Sequence, residues 1–282
     1  MSETIAIIAP GEMGSAVGRR LAERGARVIT TLAGRSPASV ARAERAGFAV
    51  VAGLDQIAAA ADFILSIVPP GAALGLAEQW APVLTRAPRK PLYVDCNAVS
   101  PETARRIGDM LVSTGSPYVD AGIIGPPPAA SLRTVFYASG EAAPKLERLN
   151  ELGLVVRVLD APIGAASALK MSYAGITKGL TGLGAAMMLG ATRSGADAAL
   201  VRELTESQPQ LVAWLARQVP SMYPKAYRWV AEMEEIAAFA AADPAAAQIY
   251  QGLARLYERL ATAAAEGERA QLSDFCAKAK LR

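Results

Sequence analysis

Histidine is absent from this chain of 282 residues. That absence removes imidazole proton transfer, the Ser-His-Asp triad and most zinc chemistry, so any acid–base step falls to Lys, Asp, Glu, Tyr or Cys. Cysteine is nearly absent as well. Cys96 and Cys276 lie far apart and fit no metal spacing, which points to a reducing compartment and to no metal. The formal net charge is only +3, with no basic stripe of the kind nucleic-acid binding needs. A small positive bias suits an anionic substrate or a phosphorylated cofactor, and it equally describes an ordinary solvated surface. Long apolar runs are missing too. The longest, Leu180 to Ala191, is dotted with glycines and too short to span a bilayer. The start, Met1-Ser2-Glu3-Thr4, is polar and runs straight into a strand-like segment, so no signal peptide is visible. The expectation is a cytoplasmic protein with a small-molecule substrate and neither nucleic acid nor membrane as partner.

What is present is apolar material for a core: 52% hydrophobic and 20% charged residues, a globular composition. Short β-branched runs alternate with helical stretches from Thr4 to about Asp160. The strand candidates are Thr4–Ala9, Ala26–Leu32, Phe48–Val51, Asp62–Val68, Pro91–Asp95, Tyr118–Ala121, Thr134–Ser139 and Leu154–Leu159. This alternation predicts a parallel, doubly wound sheet. After Ile163 the strands stop, and the rest reads as helices broken at Gly195, Pro209, Pro220, Pro224, Pro244 and Gly267. In the Ala-rich region from Ala237 to Ala265, Ile249, Tyr250, Leu253, Leu256, Tyr257 and Leu260 recur at helical spacing. The predicted architecture is an α/β Rossmann domain over residues 1–162 and an all-helical substrate and dimerisation domain over 163–282, joined by a long helix. The helical half has many apolar faces and few helices to cover them, which predicts a homodimer.

The segment Ile5-Ala6-Ile7-Ile8-Ala9-Pro10-Gly11-Glu12-Met13-Gly14 reads as a strand and a tight turn into a helix, with Ala9 in place of the first glycine of the dinucleotide fingerprint. Gly11 lets the backbone approach a pyrophosphate, Gly14 lets the helix pack closely, and the turn through Glu12 and Met13 aims helix N–H groups at the phosphates. NAD enzymes usually place an acidic residue after the second strand. None occurs between Glu23 and Glu44. Arg35 and Ser36 stand there instead, a guanidinium fork and a hydroxyl suited to a 2′-phosphate, so the expected cofactor is NADP(H). The fourth strand ends at Val68-Pro69-Pro70, which either walls the nicotinamide side of the crevice or simply stops the strand.

Three further segments stand out: Asp95-Cys96-Asn97-Ala98-Val99-Ser100-Pro101, where Ser100 reads as a helix N-cap; Tyr118-Val119-Asp120-Ala121-Gly122-Ile123-Ile124-Gly125-Pro126, a strand end and a stiff loop; and the helical run from Gly164 to Gly179 carrying Lys170. In this order, and with the fingerprint, they resemble the β-hydroxyacid dehydrogenase family over residues 4 to about 195. That family includes 3-hydroxyisobutyrate and 6-phosphogluconate dehydrogenases, and the C-terminal helices look like its phosphogluconate-dehydrogenase-like branch. The resemblance implies oxidation of a 3-hydroxy acid, with Lys170 as the acid–base group. It places Asn97 and Ala98 at a substrate-binding Ser-Thr, and Ile124, Gly125 and Pro126 at a Ser-Gly-Gly substrate loop. Two positions depart from the pattern. Ala174 replaces the asparagine one turn after the lysine, and Ile124 replaces the loop serine. Both remove hydrogen-bond partners for a small hydroxy acid.

A helix turns about 100° per residue, so Tyr173 and Thr177 fall within roughly 60° of Lys170 and join it in one polar stripe. A lysine among Ala, Leu, Met and Gly either snorkels to solvent or is held in a cleft, where its pKa would fall. The candidate site is therefore Lys170 for proton transfer; Gly11, Glu12, Met13, Gly14, Arg35, Ser36, Val68, Pro69 and Asn97 for the cofactor; and Asn97, Gly122, Ile123, Ile124, Gly125, Tyr173 and Thr177 for substrate. Asp95 and Asp120 read as capping or loop-bonding residues. The leading reading is hydride transfer between NADP(H) and a 3-hydroxy-acid-like alcohol. The alternatives are C=N reduction, since Asp120–Pro128 and Phe136-Tyr137-Ala138-Ser139-Gly140 are also similar to imine reductases, and a non-catalytic NADPH-binding sensor.

Overall fold

The structure, a computed structural model, describes residues 3–129 and 133–280; Met1 and Ser2 of the polar start lie outside them. The chain divides into two compact units, Met1–Met171 and Ser172–Arg282.

The first unit alternates strands and helices: β1 (Thr4–Ile8), α1 (Glu12–Ala22), β2 (Arg27–Thr30), α2 (Pro37–Arg45), β3 (Ala49–Val50), α3 (Leu54–Ala60), β4 (Phe63–Ser66), α4 (Ala73–Arg86), β5 (Leu92–Asp95), α5 (Pro101–Val112), β6 (Tyr118–Ile124), β7 (Val135–Ser139) and β8 (Val156–Val158). All eight predicted strands are present, in one sheet of order β3-β2-β1-β4-β5-β6-β7-β8. The strands near its middle carry near-continuous apolar runs because both faces are covered. Along β1, Ile5 and Ile7 join the core beneath α1 and α2, while Ala6 and Ile8 join the core beneath α3, α4 and α5. Strand order reverses between β1 and β4, which places the ligand crevice of such a sheet at their carboxyl ends.

One expectation of the strand pattern is corrected. β7 runs antiparallel to β6, with Asp120 opposite Ser139 and Ile124 opposite Val135, so the sheet is not wholly parallel. The same pairing extends β6 through Gly122, Ile123 and Ile124, which sequence reading placed in a loop. A short connection back along the neighbouring strand permits only antiparallel pairing.

The 29-residue helix α6 (Ala165–Arg193) passes through the boundary between the units. Its start is fixed by a buried carboxylate. Asp120 Oδ2 accepts the Gly164 N–H at 2.9 Å and the Ser167 N–H at 3.1 Å, and Oδ1 accepts the Ser167 hydroxyl at 2.7 Å. The Ser139 hydroxyl donates to the same Oδ2 and accepts the Ala166 N–H, both at 3.0 Å. First-turn amides that lack helical partners are thus met by negative charge at the positive end of the helix dipole.

The second unit continues with α7 (Asp197–Ser207), α8 (Pro209–Met222), α9 (Ala226–Phe239), α10 (Pro244–Ala261) and α11 (Glu266–Lys280). Gly195, with φ of 70°, turns the chain out of α6, Pro209 and Pro244 open helices, and Pro224 lies in a short 3-10 turn. Pro220 and Gly267 do not break helices as expected. Pro220 sits in the last turn of α8, where little helix follows the bond that its missing N–H forgoes, and Gly267 sits in the first turn of α11, where backbone N–H groups have no helical partner. α10 lays Tyr250, Leu253 and Tyr257 over Gly175, Gly179 and Gly182 of α6. Ile249 falls off the expected apolar stripe and is 53% exposed. Among the described residues, no helix is long and apolar enough to cross a membrane.

Candidate functional site

The fingerprint turn is built on strain and close approach. Ala9, standing where the first glycine would, adopts a left-handed φ of 63°, the conformation for which glycine is usually chosen. The turn closes by a bond from the Gly11 N–H to the Ala9 carbonyl at 2.7 Å. A Cβ on Gly14 would lie 2.7 Å from the Ala9 oxygen and 3.2 Å from an Ile7 methyl, so only glycine lets α1 pack here. A Cβ on Gly11 would meet nothing closer than 4.0 Å, which leaves that face open for a ligand. Gly11 caps α1 without a side-chain bond, so the first-turn amides from Glu12 to Gly14 are directed at the crevice. Open space in front of Gly11, a helix N-terminus at Gly11 and the switch point together fit a dinucleotide pyrophosphate.

At the end of β2, Arg35 is half-buried and its Nε lacks a hydrogen-bond partner, a cost that an anion would relieve. Ser36 is the N-cap of α2 and accepts the Ser39 N–H at 3.3 Å. Arg42, missed in the sequence reading, donates from Nε to the Pro10 carbonyl at 3.3 Å and from Nη2 to the Ser39 hydroxyl at 3.5 Å, tying α2 to the fingerprint turn. The signal was available in the i, i+3, i+6 spacing of Ser36, Ser39 and Arg42 on one helix.

Val68 and Pro69 follow β4 directly at the switch point. The Val68 N–H donates to Asn97 Oδ1 at 2.6 Å, and Asn97 Nδ2 donates to the Ser66 hydroxyl at 3.0 Å and to Asp95 Oδ1. The Asn97 side chain is therefore engaged within the protein, joining the loops after β4 and β5, and the residue is only 3% exposed. Asp95 Oδ1 also accepts the Asn97 N–H at 3.0 Å. Burial, with the charge of Asp120 adding to it and the bonds from Asn97 opposing, pushes the Asp95 carboxyl up to about 7. Both aspartates thus have the bonding roles read from sequence. The upward shift of Asp95 was not legible, because it depends first on burial and then on Asp120 lying opposite on the adjacent strand. Ser100 caps α5 as expected, accepting the Thr103 N–H at 3.3 Å.

Lys170 lies against the expected substrate strand. Its Nζ donates to the Ile123 carbonyl at 2.7 Å. A Cβ on Gly122 would meet the Ala166 carbonyl at 2.9 Å and Lys170 Cβ at 3.0 Å, so glycine sets how closely α6 approaches β6. Ile124 ends the strand, and Gly125 turns the chain away with φ of 123°. Of the stripe shared with Lys170, Tyr173 is 49% exposed, while the Thr177 hydroxyl bonds to the Tyr173 carbonyl of its own helix. The structure thus brings together Lys170, Gly122, Ile123 and the strand ends. Thr177 spends its hydroxyl on its own backbone. Asp120, Ser139 and Ser167, which hold α6 in place, were not among the expected site residues.

Strain at Ala9 is directly testable. An alanine in the left-handed region costs about 1–2 kcal/mol, and glycine's extra freedom in the unfolded chain returns part of that. Ala9→Gly is expected to stabilise the protein by about 0.5–1 kcal/mol in urea unfolding; unchanged or lower stability would show that the turn is not strained.

Comparison with known proteins agrees with this geometry. Residues 4–152 match the family described as the NAD binding domain of 6-phosphogluconate dehydrogenase, and residues 191–260 match a domain of unknown function (DUF1932). Among solved structures, the conserved protein MTH1747 of unknown function, reported as structurally similar to 3-hydroxyacid dehydrogenases, is 28% identical. The match covers 95% of this chain and 99% of that one with a TM-score of 0.73. The fold is shared with Mycobacterium tuberculosis 3-hydroxyisobutyrate dehydrogenase with L-serine, at 20% identity, complete coverage of both chains (100% each) and a TM-score of 0.75. It is also shared with a reductive aminase from Aspergillus terreus in complex with NADPH and ethyl-5-oxohexanoate, at 19% identity, coverage of 100% and 99%, and a TM-score of 0.58. With its fingerprint turn, switch-point crevice and strand-bound lysine, the chain belongs to the β-hydroxyacid dehydrogenase-like family of oxidoreductases, and its first half is the NAD-binding domain of 6-phosphogluconate dehydrogenase type.

Proposed function

We propose that this protein is an NADP(H)-dependent oxidoreductase acting on a 3-hydroxy-acid-like alcohol, with Lys170 as the proton-transfer group. The observation that carries this reading is the bond from Lys170 Nζ to the Ile123 carbonyl, which fixes an amine beside the carboxyl end of β6. When bound, a nicotinamide supplies the hydride acceptor or donor. Lys170, as the neutral amine, takes the hydroxyl proton as the carbinol C–H bond breaks and the carbonyl forms; in the reverse direction its ammonium returns that proton to the carbonyl oxygen. The backbone of Gly122–Gly125 orients the substrate. The chain departs from the family pattern at Ile124 and Ala174, which carry no hydrogen-bonding side chain. That same loss supports a second reading, reduction of a C=N bond, for which the shared fold with the reductive aminase is further support.

Lys170 is tested with a substrate found by screening hydroxy acids, amino alcohols and cyclic imines with both cofactors. A guanidinium does not deprotonate, so both Lys170→Ala and Lys170→Arg are expected to lower kcat by about 10²–10⁴ with cofactor affinity unchanged. Near-wild-type kcat in the arginine variant would reduce Lys170 to a binding role.

Preference for NADP(H) rests on the half-buried Arg35 with its unmatched Nε, on Ser36 and on the lack of an acidic residue after β2. Arg35→Ala is expected to weaken NADPH by about 1.5–3 kcal/mol and to leave NADH nearly unchanged. Equal wild-type affinity for the two cofactors in titrations would refute the preference.

The chain is also proposed to form a homodimer. Tyr173, Ile176, Leu180, Leu183 and Met187 are all 39–68% exposed on α6, and their 3-4-3-4 spacing is that of a helix-pairing seam. Light scattering at micromolar concentration is expected to give a dimer for wild type and a monomer for the double variant Ile176→Glu, Leu183→Glu. A monomeric wild type would exclude it.

A further inference from the structure

Asn97 links the two loops that follow β4 and β5, and its orientation is dictated from outside itself. The Val68 N–H needs an acceptor, and Asn97 Oδ1 supplies it at 2.6 Å. Nδ2 then faces Asp95 Oδ1 and the Ser66 hydroxyl. Flipping the amide would set a donor against the Val68 N–H and an acceptor against the carboxylate, two clashes inside a region where Ser66, Asp95 and Asn97 are 0–3% exposed. Asp95 Oδ1 also takes the Asn97 backbone N–H, so one carboxylate oxygen grips the residue twice. The other oxygen meets the Tyr118 hydroxyl at 3.5 Å.

We propose that Asp95 is a positioning residue for the cofactor crevice: its carboxylate holds Asn97, and Asn97 holds Val68 at the head of the Val68–Pro70 loop. The proposal rests on the reading of the β1–β4 switch point as the cofactor site. It adds that this loop is set through a chain of two buried side chains, so that cofactor affinity depends on the charge of a residue lying behind the crevice.

The titratable groups around Asp95 are Asp120 and Tyr118 on β6, Tyr93 on β5 and Cys96 just after it, none of them cationic. Burial therefore brings its titration into the neutral range, to about 7. A charged carboxylate is the stronger acceptor for both Asn97 donors, so the grip tightens as pH rises. Folding stability moves the other way. The folded state keeps a proton that the unfolded carboxyl has already released, so the associated stability is present below the ordinary carboxylate pKa and is lost as pH rises to about 7.

The test titrates NADPH and NADH into the full-length wild type, Asp95→Asn and Asn97→Ala from acid to alkaline pH, following nicotinamide fluorescence. Thermal unfolding of the cofactor-free proteins runs in parallel. Affinity is read as the ratio of wild type to variant, which cancels titration of the cofactor's own phosphate. Asparagine at position 95 mimics the protonated acid, so this ratio is expected near unity at low pH and about three- to tenfold above pH 8. Asn97→Ala, which cuts the chain without touching the carboxylate, is expected to lose the same pH-dependent gain, and it serves if Asp95→Asn does not fold. Without cofactor, the wild-type Tm is expected to fall relative to Asp95→Asn as pH rises through 7. A ratio independent of pH overturns the proposal while leaving the cofactor reading intact. Wild type that binds neither cofactor at any pH overturns the cofactor reading and the proposal with it.

Discussion

The arrangement around Lys170 depends on one buried carboxylate. Asp120 is 1% exposed, and its cost of burial is met by two backbone N–H groups and two hydroxyls. Those donors come from β7 and from the first turn of α6. The strand register, the antiparallel turn-back of β7 and the starting point of the long helix are therefore one solution to one electrostatic problem. Lys170 lies one turn after Ser167, so the bond that satisfies Asp120 also decides where the amine is delivered. Gly122, two residues after Asp120 on the same strand, completes the arrangement by giving α6 room to approach.

A satisfied Asp120 has a consequence for its neighbour. Asp95 lies opposite it in parallel register, equally buried but bonded mainly to neutral Asn97 groups. Helix N–H groups gather around Asp120, so Asp95 is the member of the pair whose charge is poorly supported. Two carboxylates on adjacent strands are thereby given different jobs by their surroundings alone.

The sheet was legible because its middle strands are buried on both faces, which forces continuous apolar runs such as Ile5–Ile8 and Phe63–Leu65 between turn residues. The fingerprint turn was legible even with Ala9 out of pattern, since Gly11 and Gly14 answer local needs of backbone space. What stayed hidden was pairing. Nothing local in Gly122-Ile123-Ile124 distinguishes a strand that turns back on itself from a loop, and that choice is made by Val135–Ser139 across the sheet. Ser139 and Ser167 escaped for the same reason: each acts on another element. Gly267 misled because the first turn of a helix has no partners for its N–H groups, and Pro220 because α8 ends just after it.

A chain without histidine leaves acid–base work to other side chains, and the two lysines of α6 are held in different ways. Lys178, two turns beyond Lys170, is committed to the packing of the helical unit. It pairs with Glu232, sits over the Trp229 ring at 5.0 Å, and burial lowers its pKa against the opposing pull of Glu232. Its backbone carbonyl is also taken, by the Tyr257 hydroxyl at 2.5 Å. Such a lysine is a structural cation: removing either partner strands a buried charge. Lys170 donates to the Ile123 backbone carbonyl of β6. The one bond packs a lysine into the helical unit, and the other sets a lysine against the strand that carries Asp120.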